Sequence, residues 1–178
     1  MTAKPLLTIE QEINLVALEQ SIEALAKKAL YVGIAKDSSG DKREDDGPNN
    51  HLLGYVHEFG SPVNNIPARP FLVPGVKRQQ VFITSKLKDA MRLALGGDTR
   101  GCDRILEQLA LSTAAGVRDY MSVANFEPLK PATIKYRNRS RLTQSSRQEE
   151  IDMDMSKIRP LINTGSLRNS VDGYFIEE

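Results

Sequence analysis

The stretch GVKRQQVFITSKLKDAMRLALGGDTRGCDRILEQLALSTAAGVRDYMSVA (residues 75–124) decides the fold. In its first half Val76, Ile83, Leu87, Met91 and Ala94 recur at spacings that bring side chains to one face of a helix. Gly96 and Gly97 close that helix, because glycine enters a left-handed cap without a Cβ penalty. Asp98 or Thr99 then caps a second helix, where Ile105, Leu106, Leu109, Thr113, Val117, Tyr120 and Met121 carry the apolar stripe to about residue 124. The spacing thus predicts two long helices, 75–95 and 99–124, folded into a hairpin across the diglycine.

The flanking segments are built on that hairpin. Residues 8–29 place Ile9, Ile13, Val16, Ile22, Leu25, Ala26 and Ala29 at helical spacing behind a Thr8–Gln11 capping box. They read as an amphipathic helix packed on the chain's own core. Residues 31–35 (YVGIA) read as a strand, and 36–50 (KDSSGDKREDDGPNN) as a mobile surface loop too polar to bury itself. A short helix is expected over 51–59, with Leu52, Tyr55, Val56 and Phe59 on one face, Asn50 as its cap and Gly60 as its stop. Pro67, Pro70 and Pro74 then make 66–74 an extended connector. Beyond the hairpin, Pro128 and Pro131 interrupt the pattern. One helical turn is expected at 131–136, and a second mobile loop at 138–157. The end of the chain holds a capped short helix (164–170) and a strand (171–176). Lone strands are unstable, so the two must pair. The expected fold is a single α+β domain over 1–178: a small antiparallel sheet packed against long helices, with two flexible charged loops.

Among 178 residues, 24 Lys and Arg balance 23 Asp and Glu, a formal charge of +1 that removes the general electrostatic argument for a nucleic-acid binder. Cys102 is the lone cysteine and cannot form an internal disulfide. No apolar run approaches the roughly 18–20 residues of a membrane span, so no membrane partner is expected. The opening MTAKPLLTIEQEINL turns acidic where a signal peptide would turn apolar; a cytosolic origin is expected, or carriage within something larger.

The sequence contains no phosphate-binding GxxxxGK[ST] loop, no GxGxxG and no GxSxG elbow. His57-Glu58 begins like HExxH but lacks the second histidine, and His51 is the sole other imidazole. Asp37, Ser39, Asp41 and Asp45 fall at calcium-loop positions, yet Lys42 and Pro48 stand where an EF-hand needs Gly and Glu. Asp152 and Asp154 read as part of a solvated run. No catalytic residue, cofactor or metal is therefore expected. Lys135, Arg137, Arg139, Arg141 and Arg147 form a basic arm, followed by Glu149, Glu150, Asp152 and Asp154. Three readings of it stay open: a loop that neutralises itself, a loop that docks on an oppositely charged neighbour, and a loop that holds nucleic-acid phosphates. Only Tyr136 is nearby for stacking.

More selective than any of these patterns is LGYVHEFGSPVNNIPARPFLV (residues 53–73). His57-Glu58-Phe59-Gly60 followed by Ile66-Pro67-Ala68-Arg69-Pro70-Phe71-Leu72 and a long helix resembles the virion morphogenesis, or neck and tail-completion, proteins of tailed bacteriophages. Pro128, Leu129, Thr133 and Lys135, then LINTGSLRNS (161–170), are similar to that family's later motif in the same order; Asn163 stands where the family has Asp. The resemblance implies a structural virion protein without a reaction, located in the neck at the head–tail junction and made in the host cytoplasm. It implies a self-assembled hexameric or dodecameric ring between the head-side connector, with its head-completion or adaptor proteins, and the tail terminator. A tail-terminator or tail-completion ring is the alternative place, and a DNA-binding module using the basic arm the alternative class. Contact of the arm with phage DNA in the channel fits either ring. Phe59, Phe71 and Leu72 read as core or interface anchors. Arg69, with its planar fork of donors, reads equally as an intrachain salt bridge or as an intersubunit contact.

Overall fold

The diglycine turn forms as its composition requires. In the computed structural model, which describes residues 9–34, 49–144 and 159–177, helix α4 (Gln80–Leu95) runs into Gly96 and Gly97, and α5 (Thr99–Val123) follows. Gly97 adopts φ 85°, and the Gly97 and Asp98 amides donate to the Ala94 and Leu93 carbonyls that end α4. Asp98 caps α5, its carboxylate accepting from the Gly101 amide at 2.8 Å. Gly101 must be small here, since a Cβ would fall 2.2 Å from the Asp98 carboxylate.

The remaining elements are α1 (Ile9–Ala26), β1 (Lys28–Ile34), α2 (Asn50–Phe59), α3 (Leu72–Lys77), α6 (Pro131–Gln144), α7 (Ser166–Asn169) and β2 (Val171–Glu177). The two strands pair as an antiparallel sheet, and the fold is α+β and mostly helical. Among the described residues no helix is long and apolar enough to cross a membrane.

Several boundaries differ from expectation. Helix α1 stops at Ala26, and Ala29 lies in β1. The expected helix 75–95 is two: α3 begins earlier, at Leu72, and the chain breaks at Arg78 and Gln79 before α4. Pro74 therefore lies in the first turn of α3 rather than in an extended connector. That position is tolerant because a first-turn amide has no partner within its helix. Asn49, not Asn50, caps α2, accepting from the Leu52 amide at 2.8 Å. Helix α6 runs on to Gln144, through the first part of the second expected loop; the rest of that loop, 145–157, and the loop at 36–48 lie outside the described residues.

Contacts divide the chain into two units. Of the described residues, the first takes 9–32, 79–113 and 173–177, and the second takes 33–34, 49–78, 114–144 and 159–172. In the first unit the core gathers Ala90, Ala94, Cys102 and Leu106, with Leu25, Leu93, Ile105 and Phe175 packed against it. Small residues let the backbones close up. At Gly173 a Cβ would meet the Ala110 carbonyl oxygen at 2.1 Å, so β2 can lie this near α5 only as glycine. Burial alone would pull the Lys28 ammonium below its ordinary range, but its hydrogen bond and charge pairing with Asp103 outweigh burial and raise it. Burial pushes the Cys102 thiol up, so it is not an activated nucleophile.

Helix α1 departs from the amphipathic expectation more consequentially. Of its expected stripe Val16 and Ile22 are exposed, as are Leu15 and Leu18, while Leu25 packs on the core and the helix lies against α4; Thr8 and the side chains of Ile9, Gln11 and Ile13 lie outside the described residues. In the second unit Phe71, Val117, Met121, Leu161, Leu167 and Val171 are buried. Gly75 brings α3 onto α5, with a Cβ there only 3.2 Å from Val117 Cα.

Candidate functional site

The two motif stretches, far apart in sequence, meet in the second unit. Helix α2 carries the first and α7 the second. Asn50 Nδ2 donates to Ser166 Oγ at 3.1 Å, and the space beside Gly54 is filled by Ile34 and Leu167. A glycine in mid-helix weakens the helix, so its presence marks this close approach. The buried side of α2 is thus the Gly54 side. Its apolar stripe points the other way: Leu52, Tyr55 and Phe59 are exposed, the last two at 64% and 66%, and their rings touch at a centroid distance of 4.9 Å.

Behind that stripe the chain is fixed by backbone chemistry. Gly60 ends α2 at φ 78°, where an L side chain is strained, and a Cβ would lie 2.9 Å from the Ala68 amide nitrogen. Ser61 and Ile66 pair through two backbone hydrogen bonds and close a tight loop, with Asn65 at φ 50°. The returning chain donates from the Arg69 amide to the His57 carbonyl at 2.6 Å, satisfying an end carbonyl of α2.

Glu58 is the centre of this arrangement. Its carboxylate accepts from the amides of Phe71 at 2.7 Å, Leu72 at 2.9 Å and Val73 at 3.1 Å. The next residue, Pro74, has no amide hydrogen, and the Gly75 amide already bonds to the Phe71 carbonyl. One carboxylate and one proline therefore account for every unpaired amide at the start of α3, and the negative charge sits at the positive end of the helix.

Arg69 and Phe71 do not present themselves outward. Arg69 is 4% exposed; its Nε donates to the Glu127 carbonyl at 2.7 Å and its Nη2 to the Pro128 carbonyl at 3.0 Å. These partners are neutral backbone oxygens, so the guanidinium braces the chain's own fold, and among the described residues it forms no salt bridge. Phe71, 1% exposed, is core. Leu72 is half-buried at the start of α3, and of the four interface candidates Phe59 is the one left bare.

His57 lies under the loop, and neither its Nδ1 nor the Nε2 of His51 has a hydrogen-bond partner among the described residues. Burial first, then the charges of Arg69 and Arg137, hold the His57 imidazole down at about 4, so it is neutral at physiological pH. Arg137 belongs to α6 rather than to a loop and donates to the Arg159 and Pro160 carbonyls at 3.1 and 3.2 Å. Lys135 and Tyr136 on the same helix are exposed; Arg139 and Arg141 fall on the α6 backbone, and Arg147 lies outside the described residues. Among the described residues no group of three or more His, Cys, Asp and Glu is placed to hold a metal ion.

Sequence reasoning missed Glu58, weighing it only as half of a metal motif. The available signal was Pro74 shortly after Phe71-Leu72, a helix start that needs an external acceptor. It also missed the direction of the α2 stripe, for which Gly54 was the signal.

No family model matches the chain, and no solved structure matches it. Over 32 residues it is 56% identical to an uncharacterized protein of Methanocaldococcus jannaschii, a match covering 18% of this chain and 24% of the archaeal protein. The match thus spans about a quarter of that relative's length.

Proposed function

We propose that this chain is a ring-forming structural subunit of a tailed-phage virion, at the neck between the head-side connector and the tail terminator. A tail-terminator or tail-completion ring is the alternative position for the same ring. The observation that carries the reading is the division of labour inside the motif. Glu58, Gly60, Arg69 and Phe71 freeze the backbone, and the frozen frame displays an uncovered Leu52–Tyr55–Phe59 stripe. Rigid aromatic side chains on a preorganised support are what a protein contact uses, because little ordering entropy is lost on docking. The reading assigns no reaction to the chain. Its partners are further copies of itself and the adjacent head-completion, adaptor and terminator proteins. The alternative in which the basic arm holds DNA phosphates loses Arg137, which is spent on backbone carbonyls within the chain, and rests on Lys135, Arg139, Arg141 and Arg147.

Negative-stain images and sedimentation velocity of the purified chain test this, alone and mixed with the purified products of the neighbouring genes. Closed rings of six or twelve copies are expected, and Tyr55→Ser/Phe59→Ser should keep the native circular dichroism while losing the neighbour. A chain that stays monomeric in every mixture would refute the proposal.

A further inference from the structure

The charge that balances over the whole chain does not balance within the second unit. Counted by sequence over 33–78 and 114–172, sixteen Lys and Arg stand against thirteen Asp and Glu, and the rest of the chain is net negative. The described part of the unit is more one-sided, with acids only at Glu58, Asp119, Glu127 and Asp172 against eleven Lys and Arg. The ion pairs Lys28–Asp103 and Arg92–Asp89 both belong to the first unit and offset none of this excess. Arg69, Arg118 and Lys130 donate to the carbonyls of Glu127, Val171 and Asn65, neutral acceptors that leave each positive charge uncancelled. The excess gathers at α6. From Pro128 to Gln148 the chain contains no Asp or Glu, and α6 carries Lys135, Arg137, Arg139 and Arg141. Positions 135 and 139 lie one helical turn apart, as do 137 and 141. Lys135 is exposed and forms no hydrogen bond or ion pair among the described residues. Arg137 grips the Arg159 and Pro160 carbonyls, which brings the exposed Arg159 alongside the helix.

We propose that α6 and Arg159 form a nucleic-acid contact that holds the phosphate backbone without reading sequence, through Lys135, Arg139, Arg141 and Arg159. Charge complementarity calls for an anion, and the rest of the helix narrows its class. A protein contact has an apolar centre from which charge is depleted, and an interfacial helix enters a bilayer by an apolar face. Helix α6 supplies neither: among the described residues Tyr136, 72% exposed, is its one exposed large hydrophobic side chain. A phosphate backbone needs no apolar area, because the affinity comes from counterions released as the protein's cations replace them. The exposed Tyr136 ring, next to Lys135, adds a surface on which an unpaired base can stack. The contact stands for a monomer as for a ring, so it does not rest on the reading above.

Fluorescence anisotropy of a labelled random-sequence DNA duplex, titrated with the full chain at several salt concentrations, tests the contact. Four phosphate contacts at about −0.9 each predict a slope of about −3 to −4 for the logarithm of the association constant against the logarithm of salt. Lys135→Gln/Arg139→Gln should roughly halve that slope and weaken binding about tenfold or more at about 50 mM salt, whereas Lys135→Arg should keep both. Lys77→Gln/Arg78→Gln removes the same charge from α3 of the same unit and should leave the slope unchanged; circular dichroism checks the fold of each variant. No binding at about 50 mM salt, or an equal loss of slope in the α3 variant, would overturn the assignment. A poly-glutamate chain that competes as well as unlabelled DNA would replace nucleic acid with an acidic polypeptide, and phosphatidylserine vesicles that bind as tightly would replace it with a membrane. A chain that binds DNA in this way but stays monomeric in every mixture would refute the ring reading alone, and a ring that binds no DNA would refute this contact alone.

Discussion

Replacing Glu58 with alanine should cost more stability than its half-exposed position suggests. The carboxylate is the acceptor for three amides, at 2.7, 2.9 and 3.1 Å, and Pro74 leaves no further amide to take up the role. A hydrogen bond to a charged group is worth about 1.5–3 kcal/mol, but the Val73 amide is exposed and regains water on truncation. The part-buried Phe71 and Leu72 amides carry the cost, giving about 2–4 kcal/mol in all for Glu58→Ala, and the favourable helix-end charge is contained in that figure. Glu58→Gln keeps one carbonyl oxygen in place and should cost about 1–2 kcal/mol, half the acceptor capacity and the charge being lost. Urea unfolding with an unchanged m value reads both numbers, and thermal midpoints should fall by about 2–4 °C per kcal/mol for a chain of this size. Glu127→Ala is the control, since Arg69 uses only the Glu127 carbonyl, and it should stay within about 0.5 kcal/mol. The clamp is refuted by a Glu58→Ala midpoint indistinguishable from that of wild type.

Arg69→Ala should lower folding stability by about 2–4 kcal/mol, because it removes two part-buried hydrogen bonds to the Glu127 and Pro128 carbonyls and empties the space of a side chain that is itself buried; a variant of full stability that merely failed to assemble would return Arg69 to an interface. His57 gives a pH dependence of definite sign. The unfolded chain binds its proton near 6.5, whereas the folded chain resists it until about 4, so the contribution is whole above 6.5 and falls as the pH drops from 6.5 towards 4. The loss is at most about 3 kcal/mol, less in proportion to the solvent the ring still meets. Urea midpoints of His57→Gln and wild type across that window should diverge, the variant changing less, and parallel curves would defeat the assignment.

What was legible in the sequence was whatever local chemistry determines. The diglycine between two apolar periods gave the α4–α5 turn, and Gly60 gave the end of α2, because in each case one residue type alone fits the backbone. The break at Arg78 and Gln79 was illegible: no proline or glycine marks it, and α3 starts at Leu72 because Glu58, fourteen residues earlier, supplies its cap. The direction of a stripe was harder still. Periodicity shows that Leu52, Tyr55 and Phe59 share a face, as it does for Val16 and Ile22, but an apolar face left exposed and one buried in its own core have the same period. Arg69 looked available because its donors are many; two of its nitrogens were committed to carbonyls near Pro128, which no spacing rule connects to it.

The residues that make the motif recognisable are therefore spent, with one exception, on the chain's own fold. His57 gives up its carbonyl, Glu58 its carboxylate, Gly60 its missing Cβ, Arg69 its fork and Phe71 its ring, all to the chain itself. Each answers a strict geometric demand, so substitution at any of them would first be felt as instability. Phe59 is the exception inside HEFG, its ring touching Tyr55 and otherwise largely exposed. An exposed apolar face obeys a looser demand, area rather than one exact atom, and Tyr55 could be exchanged for another large apolar residue with little penalty to the fold. Two chains could then share the frame of 57–73 while differing in the apolar residues displayed on α2, without disturbing the clamp that Glu58 makes.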